Sequence, residues 1–68
     1  MPKFVEFSDS RGHYIYNINY IRSIERVTYE PSAEFYLEFS DGIIRTYTYD
    51  TNYDALTAFN HVLKTLIN

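Results

Sequence analysis

The sequence predicts an α+β fold, in which an antiparallel, bent sheet of four to five strands carries one C-terminal helix packed on one face. Two observations predict it. Alternating apolar and polar residues flank Asp41-Gly42, a pattern typical of a β-hairpin. From Thr51 onward, apolar residues recur at steps of three and four, which is typical of an amphipathic helix. The 68 residues (1–68) are expected to form a single domain.

The first part of the chain predicts a hairpin followed by a connecting strand. Residues 3–8 and 13–17 have strand composition, and the turn between them includes Gly12, which is expected to adopt a positive φ. After Asn17, isoleucine or valine recurs every three residues, which fits neither a regular strand nor a long helix. A short turn over 17–20 and a bulged strand over 22–29 reconcile that spacing; a helix over 19–26 is the alternative.

The central hairpin, residues 34–49, follows a turn at Pro31 and is predicted to have a two-residue loop, Asp41-Gly42. This register places Glu38 opposite Arg45 as a cross-strand ion pair and divides the side chains between two faces. The predicted core face carries Phe35, Leu37, Phe39, Ile44, Thr46 and Thr48. The predicted surface face carries Tyr36, Glu38, Ile43, Arg45, Tyr47 and Tyr49.

The C-terminal helix is predicted to begin at Thr51, whose Thr-x-x-Asp spacing is typical of an N-cap. Asp54 in the first turn and Lys64 near the end agree with the helix dipole. Its apolar stripe consists of Leu56, Phe59, Leu63 and Leu66, widened by Ala55, Val62 and Ile67. This stripe is expected to cover the core face of the central hairpin.

No pattern in the sequence predicts catalysis. None of the serines lies in a Gly-x-Ser-x-Gly elbow, and two glycines are too few for a phosphate-binding loop. The chain has no cysteine, and His13 and His61 have no neighbours at metal-ligand spacing. Asp41 is explained by the turn that it forms with Gly42. We therefore predict a non-enzymatic protein with no catalytic, metal-binding or cofactor-binding residue and no small-molecule substrate.

The tyrosines indicate a different kind of function. The chain has eight of them, and tyrosine is enriched at protein interfaces because it offers large contact area at low entropic cost. The alternative explanation is that these rings fill half-buried sheet positions. We predict a small protein-interaction module that binds another protein, or itself as a homodimer, through the tyrosine-rich face or a free strand edge. The predicted partner-binding residues are Tyr36, Glu38, Ile43, Arg45, Tyr47 and Tyr49.

Two other functions are compatible with the sequence. One is a phage- or mobile-element-encoded inhibitor of the anti-CRISPR type, which binds and occludes a host protein complex. The other is a nucleic-acid-binding regulator, which the net charge of −3 disfavours. The sequence contains no apolar run long enough to span a bilayer and no signal-peptide pattern, so a cytoplasmic location and no membrane partner are expected.

Several motifs follow one another in a recognisable order. A hairpin precedes Asn17, Ile21 and Ile24 in an Asn-x-x-x-Ile-x-x-Ile arrangement, and the hairpin at Asp41-Gly42 precedes the helix. Over nearly the whole chain this order resembles the small flagellar FlbD-type proteins, short cytoplasmic chains associated with swarming motility. Gly12 matches the family's Asn-Gly turn, with Arg11 where asparagine is usual, and this chain is richer in tyrosine. The matching positions are mostly turn and core, so the resemblance implies the architecture, and no functional residue is carried over.

Overall fold

The computed structural model describes residues 3–67. The elements are β1 (Phe4–Asp9), β2 (Gly12–Asn17), a 3-10 turn (Ile18–Tyr20), β3 (Ile21–Tyr29), β4 (Ser32–Phe39), β5 (Ile44–Tyr49) and α1 (Asn52–Ile67). All strand pairs are antiparallel. The α+β class is confirmed, with one difference: the strands form a two-stranded sheet, β1-β2, and a three-stranded sheet, β3-β4-β5, instead of one bent sheet.

The β1-β2 hairpin and α1 both pack on one face of the three-stranded sheet. Phe35 of β4 lies at their junction, with its ring centroid 5.4 Å from that of Phe7 and 6.1 Å from that of Phe59. The buried core cluster comprises Val5, Phe7, Phe35, Leu37, Tyr47 and Val62. Each of these side chains contributes roughly 1.5–3 kcal/mol by leaving water, so a domain without disulfides depends on this aromatic core.

The segment between the hairpins has the predicted form. The Asn17 side chain caps the 3-10 turn by accepting a hydrogen bond from the Asn19 backbone N–H at 2.9 Å. The following strand, β3, pairs with β4 and has a register shift between Ile21 and Ser23. The short turn and the bulged strand are confirmed, and the alternative helix over residues 19–26 is wrong.

The β1-β2 turn is held by a side chain and not by a left-handed glycine. Gly12 has no positive φ, contrary to the prediction. Instead, Oδ1 of Asp9 accepts hydrogen bonds from the backbone N–H groups of Arg11, at 2.9 Å, and of Gly12, at 3.2 Å. The Tyr14 hydroxyl donates a third, at 3.0 Å. An aspartate that bonds its own following backbone supplies the turn that the glycine was expected to supply.

The register of the central hairpin differs from the prediction by one residue. Phe35 lies opposite Tyr47, and Glu38 lies opposite Ile44. The Gly42 N–H donates to the Phe39 carbonyl at 2.8 Å, and the Phe39 N–H donates to the Ile43 carbonyl at 2.9 Å. With Gly42 at φ +89°, these bonds describe a type I turn followed by a glycine bulge, which makes a three-residue loop over residues 40–42.

The one-residue shift turns every side chain of β5 to the other face. Tyr47 is buried, with only 2% of its surface exposed, and the Tyr49 ring stacks on Phe35 at 5.9 Å. Ile44, predicted to be core, is 62% exposed, and Thr48 is exposed as well. Thr46 is half-buried on the face that the hairpin and helix leave uncovered. The predicted core face of β5 is therefore wrong, whereas that of β4 is correct.

The helix begins as predicted, but its buried stripe is rotated. The Asp54 N–H donates to Oγ1 of Thr51 at 3.1 Å, which confirms the N-cap. Ala55 and Val62, predicted to flank the stripe, are the two buried residues of α1. Leu56 lies on the exposed side, and Phe59, Leu63 and Leu66 are half-buried. Ile67, predicted to widen the stripe, is exposed.

Candidate functional site

The three-stranded sheet has one face that neither the hairpin nor the helix covers, and we call it the open face. Strand alternation and the observed register assign its residues: Ser23, Glu25, Val27 and Tyr29 on β3; Ser32, Glu34, Tyr36 and Glu38 on β4; and Ile44, Thr46 and Thr48 on β5. All of these residues are exposed or half-buried. The open face is therefore accessible over its whole width.

Apolar groups are displayed on the open face. Ile44 is 62% exposed, and Tyr29, at the opposite edge of the sheet, is 55% exposed. Between the edges, the half-buried Tyr36 lies opposite Glu25 on one side and Thr46 on the other. A shallow depression of about 300 Å³ lies over this part of the sheet, with Tyr36 and Ile44 in its lining. An exposed combination of aliphatic and aromatic groups is typical of a binding surface.

Negative charge predominates on the open face. It carries three carboxylates, Glu25, Glu34 and Glu38, and the ion pair that the structure gives them joins Glu38 to Nη1 of Arg22, at 3.9 Å. That pair is solvent-exposed and contributes at most about 1 kcal/mol. The predicted pair of Glu38 with Arg45 is wrong, because the corrected register separates the two residues between opposite faces.

Two hydroxyl groups hold two of these carboxylates in place. The Tyr29 hydroxyl donates to Oε1 of Glu34 at 2.8 Å, and the Ser23 hydroxyl donates to Oε1 of Glu38 at 3.0 Å. The bond to Glu34, together with burial and the charge of that carboxylate, raises the pKa of Tyr29 above its ordinary value. Because the side chains are oriented before any contact is made, a partner needs to order fewer of them.

The structure divides the six predicted partner-binding residues into three groups. Tyr36 and Glu38 lie on the open face, as predicted. Ile43 belongs to the β4-β5 connection, and Arg45 is exposed at the other side of the sheet. Tyr47 and Tyr49 belong to the core-facing side, so their assignment to the surface is wrong.

This surface also includes residues that the sequence pattern did not predict as members: Tyr29, Ile44, Glu25 and Glu34. For Ile44 the cause is the register, because a three-residue loop reverses the face on which it lies. The β3 residues were missed because their strand was not paired with β4 in the prediction. The pattern Glu34-x-Tyr36-x-Glu38, with acidic residues flanking an aromatic one, marked the correct face of β4.

Within residues 3–67, no group of three His, Cys, Asp or Glu side chains is placed to hold a metal ion. Nε2 of His13 lies 2.8 Å from Oε2 of Glu6, on the solvent side of the β1-β2 hairpin. None of the helices in the described chain has the length and apolar character needed to cross a membrane.

Comparison with known proteins identifies no relative of this chain. No protein-family model, curated protein or solved structure gives a significant match to this chain. The resemblance to FlbD-type proteins therefore stays a prediction from the sequence. Any functional conclusion has to rest on the surfaces of the molecule itself.

Proposed function

We propose that this protein is a small non-catalytic interaction module that binds a basic surface of another protein through its open face. One observation carries the proposal: an uncovered sheet face combines exposed Ile44 and Tyr29 with three carboxylates that are largely unneutralised. Large aromatic and aliphatic groups supply contact area, and complementary charge speeds association and selects the partner. A partner rich in lysine and arginine around an apolar patch fits this pattern.

The same charges oppose self-association, which was predicted as one form of the module. Two open faces in contact would bring their glutamates together. If two copies paired antiparallel through the outer edges of their β3 strands, with Ile24 at the centre, each Arg22 would lie opposite Arg26 of the other copy. If Glu25 or Arg26 were at the centre of the pairing, that residue would lie opposite the same residue of the other copy. Like charges directly opposite one another destabilise strand pairing, so we favour a different protein as the partner.

An inhibitor is a specific form of this function. Host complexes that bind nucleic acid present basic surfaces. An acidic face of this kind fits such a surface, which supports occlusion by an inhibitor of the anti-CRISPR type as the second candidate. We place either function in the cytoplasm, where a domain stabilised by an aromatic core needs no disulfide.

The test uses charge reversal on and off the open face. The tagged wild-type protein is used to capture a partner from host lysate, and affinity for the purified partner is then measured by calorimetry at several salt concentrations. Glu25→Lys is expected to weaken binding about tenfold or more, and Ile44→Asp to weaken it similarly, because both residues lie within the contact. Glu6→Lys is the matched control, since it reverses an exposed carboxylate on the far hairpin. The proposal would be contradicted if Glu6→Lys reduced the affinity as much as Glu25→Lys. It would also be contradicted if neither Glu25→Lys nor Ile44→Asp changed the affinity for the captured partner.

A further inference from the structure

A groove lies between the β1-β2 hairpin and the β4-β5 connection, away from the open face. Its larger part has a volume of about 420 Å³ and is lined by Tyr16, Tyr20, Phe39, Asp41, Ile43 and Arg45, among others. An adjoining part of about 350 Å³ is lined by Arg11, Tyr14, Thr46 and Tyr47, and it shares Arg45 with the first. We call the two parts together the Arg45 groove. Their volumes are in the range of small-molecule sites.

Aromatic rings form the rigid floor of the Arg45 groove. The hydroxyl groups of Tyr16 and Tyr47 are 2.6 Å apart and hydrogen-bonded, and the Tyr16 ring meets Phe39 edge-to-face at 5.0 Å. At the rim, Tyr20 is 61% exposed, and Ile43 is also exposed. Flat, exposed aromatic surface beside a fixed floor is suited to stacking a planar ring.

The positive charge of Arg45 is available to a ligand. The Arg45 side chain is exposed and makes no ion pair with a carboxylate within residues 3–67. By contrast, the guanidinium of Arg26 lies over the Phe59 ring and bonds Asn52. Arg11, in the adjoining part, bonds the Thr46 carbonyl, and its Nε lies 3.7 Å from Oδ2 of Asp9, while 62% of its side chain stays exposed. Arg45, an exposed guanidinium without a carboxylate partner, is the group of the groove that is suited to a phosphate.

At the other end of the groove, Asn17 offers a hydrogen-bond donor and Asp41 offers an acceptor. Oδ1 of Asn17 is occupied by the Asn19 N–H, which leaves the amide NH₂ as a donor. Oδ1 of Asp41 accepts from the Ile43 N–H at 3.0 Å, so its second oxygen is available as an acceptor. A phosphate is repelled by Asp41 and attracted by Arg45, whereas the donor and acceptor edge of a nucleobase can use both Asn17 and Asp41. The charges therefore orient an elongated ligand in one direction.

We propose that the Arg45 groove binds a nucleotide, with its base stacked on Tyr20 between Asn17 and Asp41 and its phosphate on Arg45. The shared chemistry is a planar base with a phosphate, which occurs in free nucleotides and in single-stranded nucleic acid. With a net charge of −3, the whole protein repels a polyanion more strongly than a single phosphate, which favours the free nucleotide.

The test follows backbone amide shifts by NMR during titration of the isotope-labelled protein with adenosine 5′-monophosphate, guanosine 5′-monophosphate, adenosine, inorganic phosphate and a short single-stranded oligonucleotide. Shifts are expected at Tyr20 and across residues 40–46, with a nucleotide binding at least tenfold more tightly than adenosine or phosphate alone. Arg45→Gln is expected to remove most of the advantage of the nucleotide over the nucleoside. Tyr20→Ser is expected to weaken nucleotide binding about fivefold or more.

Arg22→Gln is the matched control, because it removes an exposed guanidinium from the other side of the sheet and is expected to leave nucleotide affinity unchanged. Tighter binding of a mononucleotide identifies the free nucleotide as the ligand, and tighter binding of the oligonucleotide identifies the single strand; either supports the site. The proposal is overturned if no phosphorylated ligand shifts these amides at millimolar concentration, or if Arg22→Gln weakens binding as much as Arg45→Gln.

Discussion

The guanidinium of Arg11 donates a hydrogen bond to the backbone carbonyl of Thr46, and this contact joins the β1-β2 turn to the outer edge of β5. The pairing of β5 with β4 directs the backbone groups of Ile44, Thr46 and Thr48 toward that edge. An unpaired strand edge is a template for pairing with another chain. Arg11 thus protects an edge strand of a sheet whose open face is also exposed.

We expect Arg11→Gln to promote aggregation more than it reduces stability. The shorter side chain leaves the Thr46 carbonyl unprotected, but the lost hydrogen bond contributes only about 1 kcal/mol to the free energy of unfolding. The measurement is light scattering over time at elevated temperature, beside a urea titration. Lys64→Gln removes the same charge from the exposed side of α1 and should aggregate no faster than wild type. Equal aggregation of the two variants would show that net charge, and not edge protection, is responsible.

A pair of tyrosine substitutions tests the register of the central hairpin. Tyr47→Lys should lower the free energy of unfolding by more than about 3 kcal/mol, because an ammonium group would enter the aromatic core. Tyr36→Lys, on the open face, should lower it by only about 1 kcal/mol. Urea unfolding followed by circular dichroism gives both values. A register shifted by one residue would place both tyrosines on the open face, so that the two variants would lose similar, small amounts of stability.

The predictability of the central hairpin was limited by its loop. Asp41-Gly42 is compatible with a two-residue type I′ turn and with a three-residue loop, since both need Gly42 at a positive φ. Hydrophobicity did not decide between them, because β5 carries isoleucine on one face and tyrosines on the other. Strand positions follow from alternation, and the α+β class follows from alternation together with the helical spacing after Thr51, whereas the identity of surface residues depends on register. The candidate site was therefore only partly predictable.

The buried side of the helix was also only partly predictable from the sequence. Steps of three and four define an apolar stripe, but the wide stripe of α1 leaves its rotation undetermined until it meets the sheet. Val62→Asp is expected to unfold the domain, because Val62 is fully buried in the core cluster. Leu56→Asp, on the exposed margin, should reduce the free energy of unfolding by about 1 kcal/mol or less. Thermal unfolding of both variants checks the rotation, and a folded Val62→Asp protein would contradict this packing.

Asp9 should make the domain sensitive to acid. Burial raises the pKa of Asp9, but the hydrogen bonds from Arg11, Tyr14, Thr48 and Gly12 outweigh burial and hold the pKa below the ordinary value of 3.8. The folded state therefore binds fewer protons than the unfolded state in this range, and stability falls as the pH drops through 3.8 and below.

Asp9→Asn is the variant that isolates this effect. Its free energy of unfolding should be lower than that of wild type near neutral pH, and the difference should narrow as the pH is lowered to about 3. Glu6→Gln, which changes an exposed carboxylate on the same strand, serves as the control. If the difference in free energy of unfolding between wild type and Asp9→Asn does not change with pH, Asp9 is not the source of the acid sensitivity.

Tyr49 should weaken the fold at high pH. Burial, followed by the charges of Asp9 and Tyr14, raises the pKa of Tyr49 from 10.0 to about 12. Its neutral hydroxyl donates to the Ser8 carbonyl at 2.7 Å, which ties β5 to β1. Below pH 10 the neutral form predominates in both states and this bond stabilises the fold by about 1 kcal/mol. Above it, the unfolded chain loses its proton first, so stability falls as the pH rises toward 12.

Tyr49→Phe separates the hydrogen bond from the titration. Near pH 8 the variant should be less stable than wild type by about 1 kcal/mol, and near pH 11 this difference should vanish or reverse, because phenylalanine cannot ionise in the unfolded chain. Urea titrations at the two pH values give the comparison. Tyr53→Phe, at an exposed position on α1, serves as the control. A Tyr49→Phe difference that is the same at both pH values would mean that the Tyr49 hydroxyl ionises alike in the folded and unfolded protein, and that its contact with Ser8 does not keep it neutral.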